Sequence, residues 1–230
     1  MINAVDKLTC RALRANRLAI NRYHWLCFWF FIMNYRPEID GLRAVAVLAV
    51  ILSHANFTAF GGGFIGVDVF FVLSGYLITS IILEEYSRGD FSLARFYQRR
   101  AKRILPALFF VLACSAAVAW FWLLPGAYED FSKSLMLTAL SVSNFYFLKK
   151  TDYFAADAAE VPLLHTWSLG VEEQFYLLFP LLFLFRLRIR TIFAFVAALA
   201  VASLIASEIG AWRFPSANYY LLPTRAWEIL

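Results

Sequence analysis

The chain has 230 residues, of which 62% are hydrophobic and 18% aromatic, and its formal net charge is +5. Soluble domains are close to half apolar, so this composition excludes an ordinary soluble protein and indicates a polytopic membrane protein. The basic residues cluster at the edges of apolar runs, where they mark membrane topology, so the positive charge gives no signal for nucleic-acid binding. The cysteine spacing predicts neither a disulfide framework nor a metal site.

Residues 1–34 form a basic and aromatic extension before the first long apolar run. Its apolar stretch, WLCFWFFIM, is too short to span a bilayer, and no small-residue cleavage site of a signal peptide follows it. The extension is either an interfacial anchor or a gene-calling artefact with Met33 as the true start. We therefore expect the membrane domain in residues 35–230.

Six apolar segments are long enough to be membrane-spanning helices, and they cover residues 42–60, 64–83, 104–124, 133–148, 166–185 and 191–209. A seventh begins near Tyr219 and the apolar run continues to Leu230, which favours an amino-terminal fragment of a longer protein. The predicted fold class is therefore all-α, a polytopic transmembrane helix bundle. Gly66 and Gly75 in the second span are expected to allow close helix contact.

Charge sets the predicted orientation. The loop between the second and third spans, EEYSRGDFSLARFYQRRAKR, holds six basic residues against three acidic ones, which places it and the amino terminus in the cytoplasm. Strict alternation then puts the sequence RLRIR, residues 186–190, outside. Either residues 133–148 are a short or re-entrant segment, or these arginines face protein or lipid phosphates. We favour alternation, because residues 133–148 are long enough to cross with tilt.

The first span carries Arg43 and His54, eleven residues apart, which places both on one helix face about three turns apart. Ionisable groups in a membrane are costly and usually functional. His54 lies past the middle of the predicted span, so it either hydrogen-bonds a neighbouring helix or takes part in chemistry. Asp68, across the GGG turn, is the carboxylate best placed to orient the histidine ring; alternatively, it caps its own helix.

Two further pairs of residues are candidates. Glu172 and Glu173 lie one to two turns inside the fifth span and point about 100° apart, so at least one faces the bundle interior. They either line a pore or belong to a network that fixes packing. Arg100 and Arg103 share a helix face and suit a phosphate or pyrophosphate group. Alternatively, they are topology charges or bind anionic lipid head groups.

Five ordered motifs across residues 35–230 resemble the acyltransferase 3 family of bacterial inner-membrane O-acyltransferases. The motifs are YRPEIDGLRAVAVLAVILSH, GGFIGVDVFFVLSGYLITSIIL, FYQRRAKRILPAL, PLLHTWSLGVEEQFYLLFPLL and YYLLPTRAWEIL. The chain is most similar to the subgroup in which a periplasmic SGNH hydrolase-like domain follows the membrane domain.

The resemblance implies a bundle of ten or eleven helices, of which six to seven are present. It implies transfer of an acyl group, usually acetyl, from cytoplasmic acetyl-CoA to a hydroxyl of an extracytoplasmic glycan, such as lipopolysaccharide O-antigen or another cell-surface polysaccharide. We therefore expect an enzyme of the bacterial inner membrane that uses acetyl-CoA as donor and no metal. The expected catalytic residues are His54, Asp68, Glu172 and Glu173, and the expected substrate-binding residues are Arg43, Arg100 and Arg103.

The family's later helices and any SGNH domain are missing, so we expect this chain alone to be an inactive truncated product. A proton-coupled transporter is the alternative class, because buried Arg, His, Asp and Glu also build such proteins. Against it, the sequence has no inverted repeat and no Gly/Pro-broken helix pair. If the chain is an acyltransferase, His54 acts either as a general base or as a transient acyl carrier.

Overall fold

The computed structural model describes residues 36–55, 57–150, 161–185 and 187–230. It divides into two compact units with a boundary after Val45, and the first of them is described only over residues 36–45. The predicted extension, residues 1–34, lies outside the described residues. Within the described ranges the regular elements are all helical, which confirms the all-α fold class.

Nine α-helices are found in the described part of the chain: α1 (Pro37–His54), α2 (Gly66–Ser87), α3 (Leu93–Trp122), α4 (Pro125–Ala139), α5 (Ser143–Lys150), α6 (Thr166–Leu178), α7 (Ile189–Arg213), α8 (Pro215–Tyr220) and α9 (Leu222–Ile229). Short 3-10 turns at Thr58–Phe60 and Gly63–Ile65 precede α2, and the 3-10 segment Phe179–Phe185 continues α6. Among the described residues, four elements are long and apolar enough to cross a membrane: Gly63–Ser87, Leu93–Trp122, Thr166–Phe185 and Ile189–Arg213.

These four elements overlap four of the six predicted spans, although the third begins at Leu93 instead of residue 104, so that the last part of the predicted basic loop belongs to α3. The predicted span 42–60 differs, because α1 begins at Pro37, ends at His54 and contains three charged residues near its start. His54 is therefore the last residue of its helix and does not lie within a longer one. The predicted seventh span near Tyr219 consists of the two short helices α8 and α9.

Residues 133–148, predicted as one span, instead belong to two helices. In the turn between α4 and α5, Ser141 adopts a left-handed backbone conformation with φ 58°. α5 then folds back along α4: the Tyr146 hydroxyl donates to the Asp130 carbonyl at 3.2 Å, and Lys150 pairs with the Asp130 carboxylate. The segment is thus a hairpin whose two open ends meet, so the predicted crossing is wrong and the short, re-entrant alternative agrees with the structure.

The segment before α7 lies beside the loop between α2 and α3. The Tyr86 hydroxyl donates to the carbonyl of Leu187 at 3.0 Å. The ring of Phe183, near the end of the 3-10 segment, packs edge-on against the Tyr86 ring with 5.3 Å between centroids. Because α2 ends one residue after Tyr86, residues 187–190 lie at the same end of the bundle as that loop.

This contact also resolves the conflict between strict alternation of the spans and the positive-inside rule. Arg188 and Arg190 lie beside the basic loop, where the positive-inside rule expects arginines, because the hairpin does not add a crossing. We call this end, which contains residues 88–92 and 187–190, the basic end. The opposite end of α2, which follows the turn at residues 61–65, is the glycine end.

Two glycines of α2 bring its backbone close to other helices. A Cβ atom at Gly66 would lie 2.5 Å from the carbonyl oxygen of Ala46 in α1. At Gly75 it would lie 1.7 Å from the carbonyl oxygen of Ile229 in α9. Neither position has room for a side chain, so the prediction that these glycines allow close helix contact is confirmed.

Hydrogen-bonded polar side chains tie the hairpin to the rest of the bundle. Asn144, which is fully buried, donates to the Tyr220 carbonyl at 3.0 Å and accepts from Gln174 Nε2 at 2.9 Å. The hydroxyls of Thr138 and Thr166 lie 2.9 Å apart. Buried polar groups with partners fix the register of their helices, so α4, α5, α6 and α8 are held in one arrangement.

Candidate functional site

A cavity of about 320 Å³ opens at the glycine end between α1, α2 and the start of α6. Its wall is mainly apolar and includes Trp167, and its polar groups come from His54, His165 and Ser168. The predicted histidine therefore faces a space that a small molecule can enter, and a second histidine faces the same space. Apolar cavities with a few convergent polar groups are typical of ligand and active sites.

The ring of His54 is oriented by its own helix. Its Nδ1 lies 2.9 Å from the carbonyl oxygen of Val50, and a carbonyl only accepts hydrogen bonds. Nδ1 therefore carries the proton, and Nε2 of the neutral ring keeps its lone pair. This tautomer suits a general base or a nucleophile.

His165 is the second imidazole of the cavity and immediately precedes α6. Its side chain is exposed to the cavity, but protein surrounds the ring on its other sides. This desolvation, together with the charge that His54 can carry, lowers the pKa of His165 below its ordinary value. The ring is thus neutral near pH 7 and can accept a hydrogen bond or a proton.

Asp68 is not paired with His54 as expected. Its Oδ1 lies 3.1 Å from Nη1 of Arg225, at the start of α9. A guanidinium is a permanently charged donor and competes well for a carboxylate, whereas His54 already has the Val50 carbonyl. The structure therefore assigns Asp68 an arginine partner that the sequence analysis did not consider.

Arg225 is the centre of a buried ion cluster. The same Nη1 lies 2.5 Å from Glu228 Oε1, and the side chain of Arg225 is only 12% exposed. The guanidinium carbon lies 5.7, 5.6 and 5.0 Å from the ring centroids of Phe71, Trp167 and Tyr219. Because Trp167 also forms part of the cavity wall, the cluster lies directly behind the cavity.

Sequence reasoning missed Arg225 and Glu228, although a signal was present. Both occur three residues apart in the otherwise apolar run LLPTRAWEIL. Spacing of three places them on one helix face, and ionisable residues in such a run usually pair with each other or serve a function.

Glu172 lies deeper in the bundle, on α6. Its Oε1 accepts a hydrogen bond from Ser74 of α2 at 2.9 Å, and its Oε2 accepts one from the Tyr176 hydroxyl at 3.2 Å. Glu172 therefore faces the bundle interior, as predicted for at least one of the two adjacent glutamates.

Glu173 faces α3. One of its carboxylate oxygens, Oε1, is buried and has no hydrogen-bond partner among the described residues. Its charge lies close enough to Arg100 to interact with it. Arg100 is half-buried, and its guanidinium lies 5.7 and 5.8 Å from the ring centroids of Phe96 and Tyr176.

The two remaining arginines lie in different surroundings. Arg103 is exposed and forms no ion pair with a residue in the described ranges. The predicted arginine pair is therefore unequal, with Arg100 turned inward and Arg103 outward.

Arg43, the third predicted substrate-binding arginine, lies 3.5 Å from Asp40, one turn earlier in α1.

Polar side chains thus follow one another along the bundle between its two ends. From the basic end they are the arginine pair, the two glutamates with Ser74, the ion cluster and the cavity with its histidines. Each group includes at least one residue that the sequence analysis singled out. The inner members of this series cost free energy to bury, so they either pair with one another or serve a function.

The chain belongs to the acyltransferase 3 family: the model of that family, described as an acyltransferase domain, matches residues 36–226. The predicted family is therefore confirmed, and with it the assignment as a membrane protein.

Among known proteins, the chain is similar to O-acetyltransferase OatA of Staphylococcus aureus. It is 44% identical over 156 residues to OatA of strain NCTC 8325 / PS 47, and equally so to OatA of strain COL. These matches cover 67% of this chain and 26% of each relative, so the chain corresponds to about a quarter of the relatives' length. No solved structure matches the chain.

Proposed function

We propose that the chain acts in O-acyl transfer across a membrane. An acyl group, most simply acetyl, comes from acyl-CoA at the basic end and passes to a hydroxyl of a cell-surface glycan at the glycine end. The observation that carries this proposal is the series of polar groups that lies between the outward-facing Arg103 and the His54 cavity in a chain of the acyltransferase 3 family.

The charge distribution supports a cytoplasmic donor. Acyl-CoA carries several phosphate charges and does not cross a bilayer, so its phosphates need cationic partners on the side where it is made. The basic end supplies them, and the positive-inside rule favours the cytoplasm for that end. We therefore propose the bacterial inner membrane as the location, with the basic end and the amino terminus cytoplasmic.

His54 provides the base for the transfer. The phosphates of acyl-CoA stay at the basic end while its pantetheine arm extends into the bundle, which brings the thioester to His54. Nε2 takes the proton of the acceptor hydroxyl while the hydroxyl oxygen attacks the thioester carbonyl. The carbon–sulfur bond then breaks, and the CoA thiolate takes up the proton, which leaves an ester and CoA. Alternatively, Nε2 attacks the thioester carbonyl first, the carbon–sulfur bond breaks and the CoA thiolate leaves. The acceptor hydroxyl then attacks the acyl-imidazole, its proton goes to the thiolate, and the bond to Nε2 breaks. The apolar cavity wall limits water, which would otherwise hydrolyse the thioester.

Acetyl transfer in isolated membranes tests this proposal. Because the chain alone is expected to be inactive, the assay uses membranes that contain the chain joined to the later helices of the family. With labelled acetyl-CoA and surface glycan, these membranes should yield glycan label that mild base releases, as expected for an ester. His54→Ala should abolish this label. Glu208→Gln, which removes an exposed ionisable group on α7, should not.

Transfer by His54→Ala at the level of the unsubstituted chain would contradict the role of His54. The absence of transfer, combined with proton-coupled solute uptake by vesicles containing the chain, would contradict the enzyme and favour a transporter.

A further inference from the structure

Two arginines outside the predicted site lie at the basic end. Arg188 and Arg190 are both exposed and flank the start of α7. The hydrogen bond from Tyr86 to the Leu187 carbonyl fixes the adjoining backbone against the end of α2. The loop between α2 and α3 and the first residues of α7 thus form one surface.

Part of the basic loop is already neutralised within the protein. Arg88 pairs with Glu84, and Arg99 lies 2.7 Å from Glu85. In the described ranges, five exposed cations of this surface and the adjoining part of α3 have no acidic partner within ion-pair distance: Arg95, Lys102, Arg103, Arg188 and Arg190. The surface therefore carries unneutralised positive charge from both segments.

The stability of α7 gives no reason for arginines at this position. Acidic residues are favourable in the first turn of a helix and basic ones unfavourable, because of the helix dipole. α7 has no acidic residue in its first turn, and it has Arg190 there. The positive-inside rule accounts for their location at the basic end, and without an acidic partner they remain available to an anionic ligand.

Acyl-CoA has more phosphate groups than the predicted arginine pair can hold. It carries a pyrophosphate and a separate ribose phosphate, while Arg100 is half-buried beside Glu173 and two aromatic rings. Only Arg103 of the pair faces outward. A second group of arginines at the basic end would supply further guanidinium groups, which can bind phosphate through two hydrogen bonds each.

We propose that Arg188 and Arg190 bind a phosphate group of acyl-CoA in addition to Arg103 of α3, so that the donor site extends from α3 to the start of α7. This inference rests on the proposed acyl-CoA donor. It adds a second binding segment to that site.

Binding of CoA to the chain in nanodiscs of zwitterionic lipid tests the inference. Arg188→Gln combined with Arg190→Gln should weaken CoA binding about tenfold or more, since bonds to charged groups are the strong ones. Lysine at both positions keeps the positive charge that favours the cytoplasmic side but lacks the planar guanidinium group, so it should restore CoA affinity only in part. The matched control is Arg213→Gln, an exposed arginine at the other end of α7, which should bind CoA unchanged.

Dephospho-CoA distinguishes the two kinds of phosphate. If the pair holds the ribose phosphate, the glutamine variant and the unsubstituted chain should bind dephospho-CoA equally. If it holds the pyrophosphate, the variant should lose affinity for both ligands.

Three results would overturn the inference. Unchanged CoA affinity in the glutamine variant would remove these arginines from the donor site while leaving the proposed function intact. An effect confined to association with phosphatidylglycerol vesicles would assign them to lipid phosphates. No CoA binding by the unsubstituted chain would contradict the proposed donor itself, and the inference would fail with it.

Discussion

The carboxylate of Asp68 lies 3.1 Å from the guanidinium of Arg225, so the start of α2 is joined to α9 across the bundle. Glu228 shares the same guanidinium nitrogen at 2.5 Å. Two carboxylates thus surround one cation directly behind Trp167, which lines the histidine cavity. The cavity wall therefore depends on a charge cluster as well as on apolar packing.

Removal of the cation should be costly. Arg225→Ala leaves Asp68 and Glu228 without their shared partner, and breaking a buried ion pair in this way costs about 3–5 kcal/mol. Thermal or denaturant unfolding in detergent should show this loss, and Asp68→Asn with Glu228→Gln should recover part of it. Arg213→Ala, at an exposed position, should change stability by no more than about 0.5 kcal/mol. Equal stability of the two alanine variants would contradict a structural role for the cluster.

The close contact at Gly75 gives a second prediction. Gly75→Ala places a methyl group 1.7 Å from the Ile229 carbonyl oxygen, so α2 and α9 must separate. Overpacking of this kind costs about 1–3 kcal/mol or more. Gly126→Ala is the matched control, because Gly126 lies in α4 with no atom near its Cβ position. There, alanine should be neutral or stabilising by up to about 1 kcal/mol. A tolerated Gly75→Ala would mean that α9 packs differently.

The unequal arginine pair predicts separable effects. Arg103→Ala should weaken CoA binding by roughly tenfold or more while leaving stability unchanged, because its side chain is exposed. Arg100→Ala should also lower stability, since it leaves Glu173 without its neighbouring cation. Lysine replacements should rescue only in part, because the planar fork is lost. CoA titration together with unfolding of each variant measures both effects. Identical behaviour of the two variants would contradict their different surroundings.

The sequence predicts the helical class, four spans and the family, because apolar length and ordered motifs are local features. It does not predict the break near Ser141, since an apolar run looks the same whether it continues or turns back. The number of positive charges predicted this region better: Arg188 and Arg190, the described arginines of RLRIR, do lie at the basic end. Apolar content also led to a predicted first span that continues to residue 60, whereas the helix ends at His54.

The partners of the candidate residues were harder to predict than their identities. Asp68 was selected for its depth and its closeness to His54 in the chain, yet its partner lies far away in sequence, at Arg225. Only the packing of α9 against Gly75 brings the two together. Glu172, by contrast, faces the interior as the helix period predicts. Periodicity gives the face of a helix, and tertiary packing decides what that face meets.

The central claim is that donor and acceptor reach the site from opposite ends, and sided membrane vesicles test it most directly. Acetyl-CoA cannot cross the membrane, so only one face receives it when it is added outside. Inverted vesicles, with the cytoplasmic face outward, should transfer acetyl groups to glycan enclosed in their lumen. Intact right-side-out vesicles should do so only after permeabilisation. Equal transfer by intact vesicles of both orientations would contradict a donor site at the basic end.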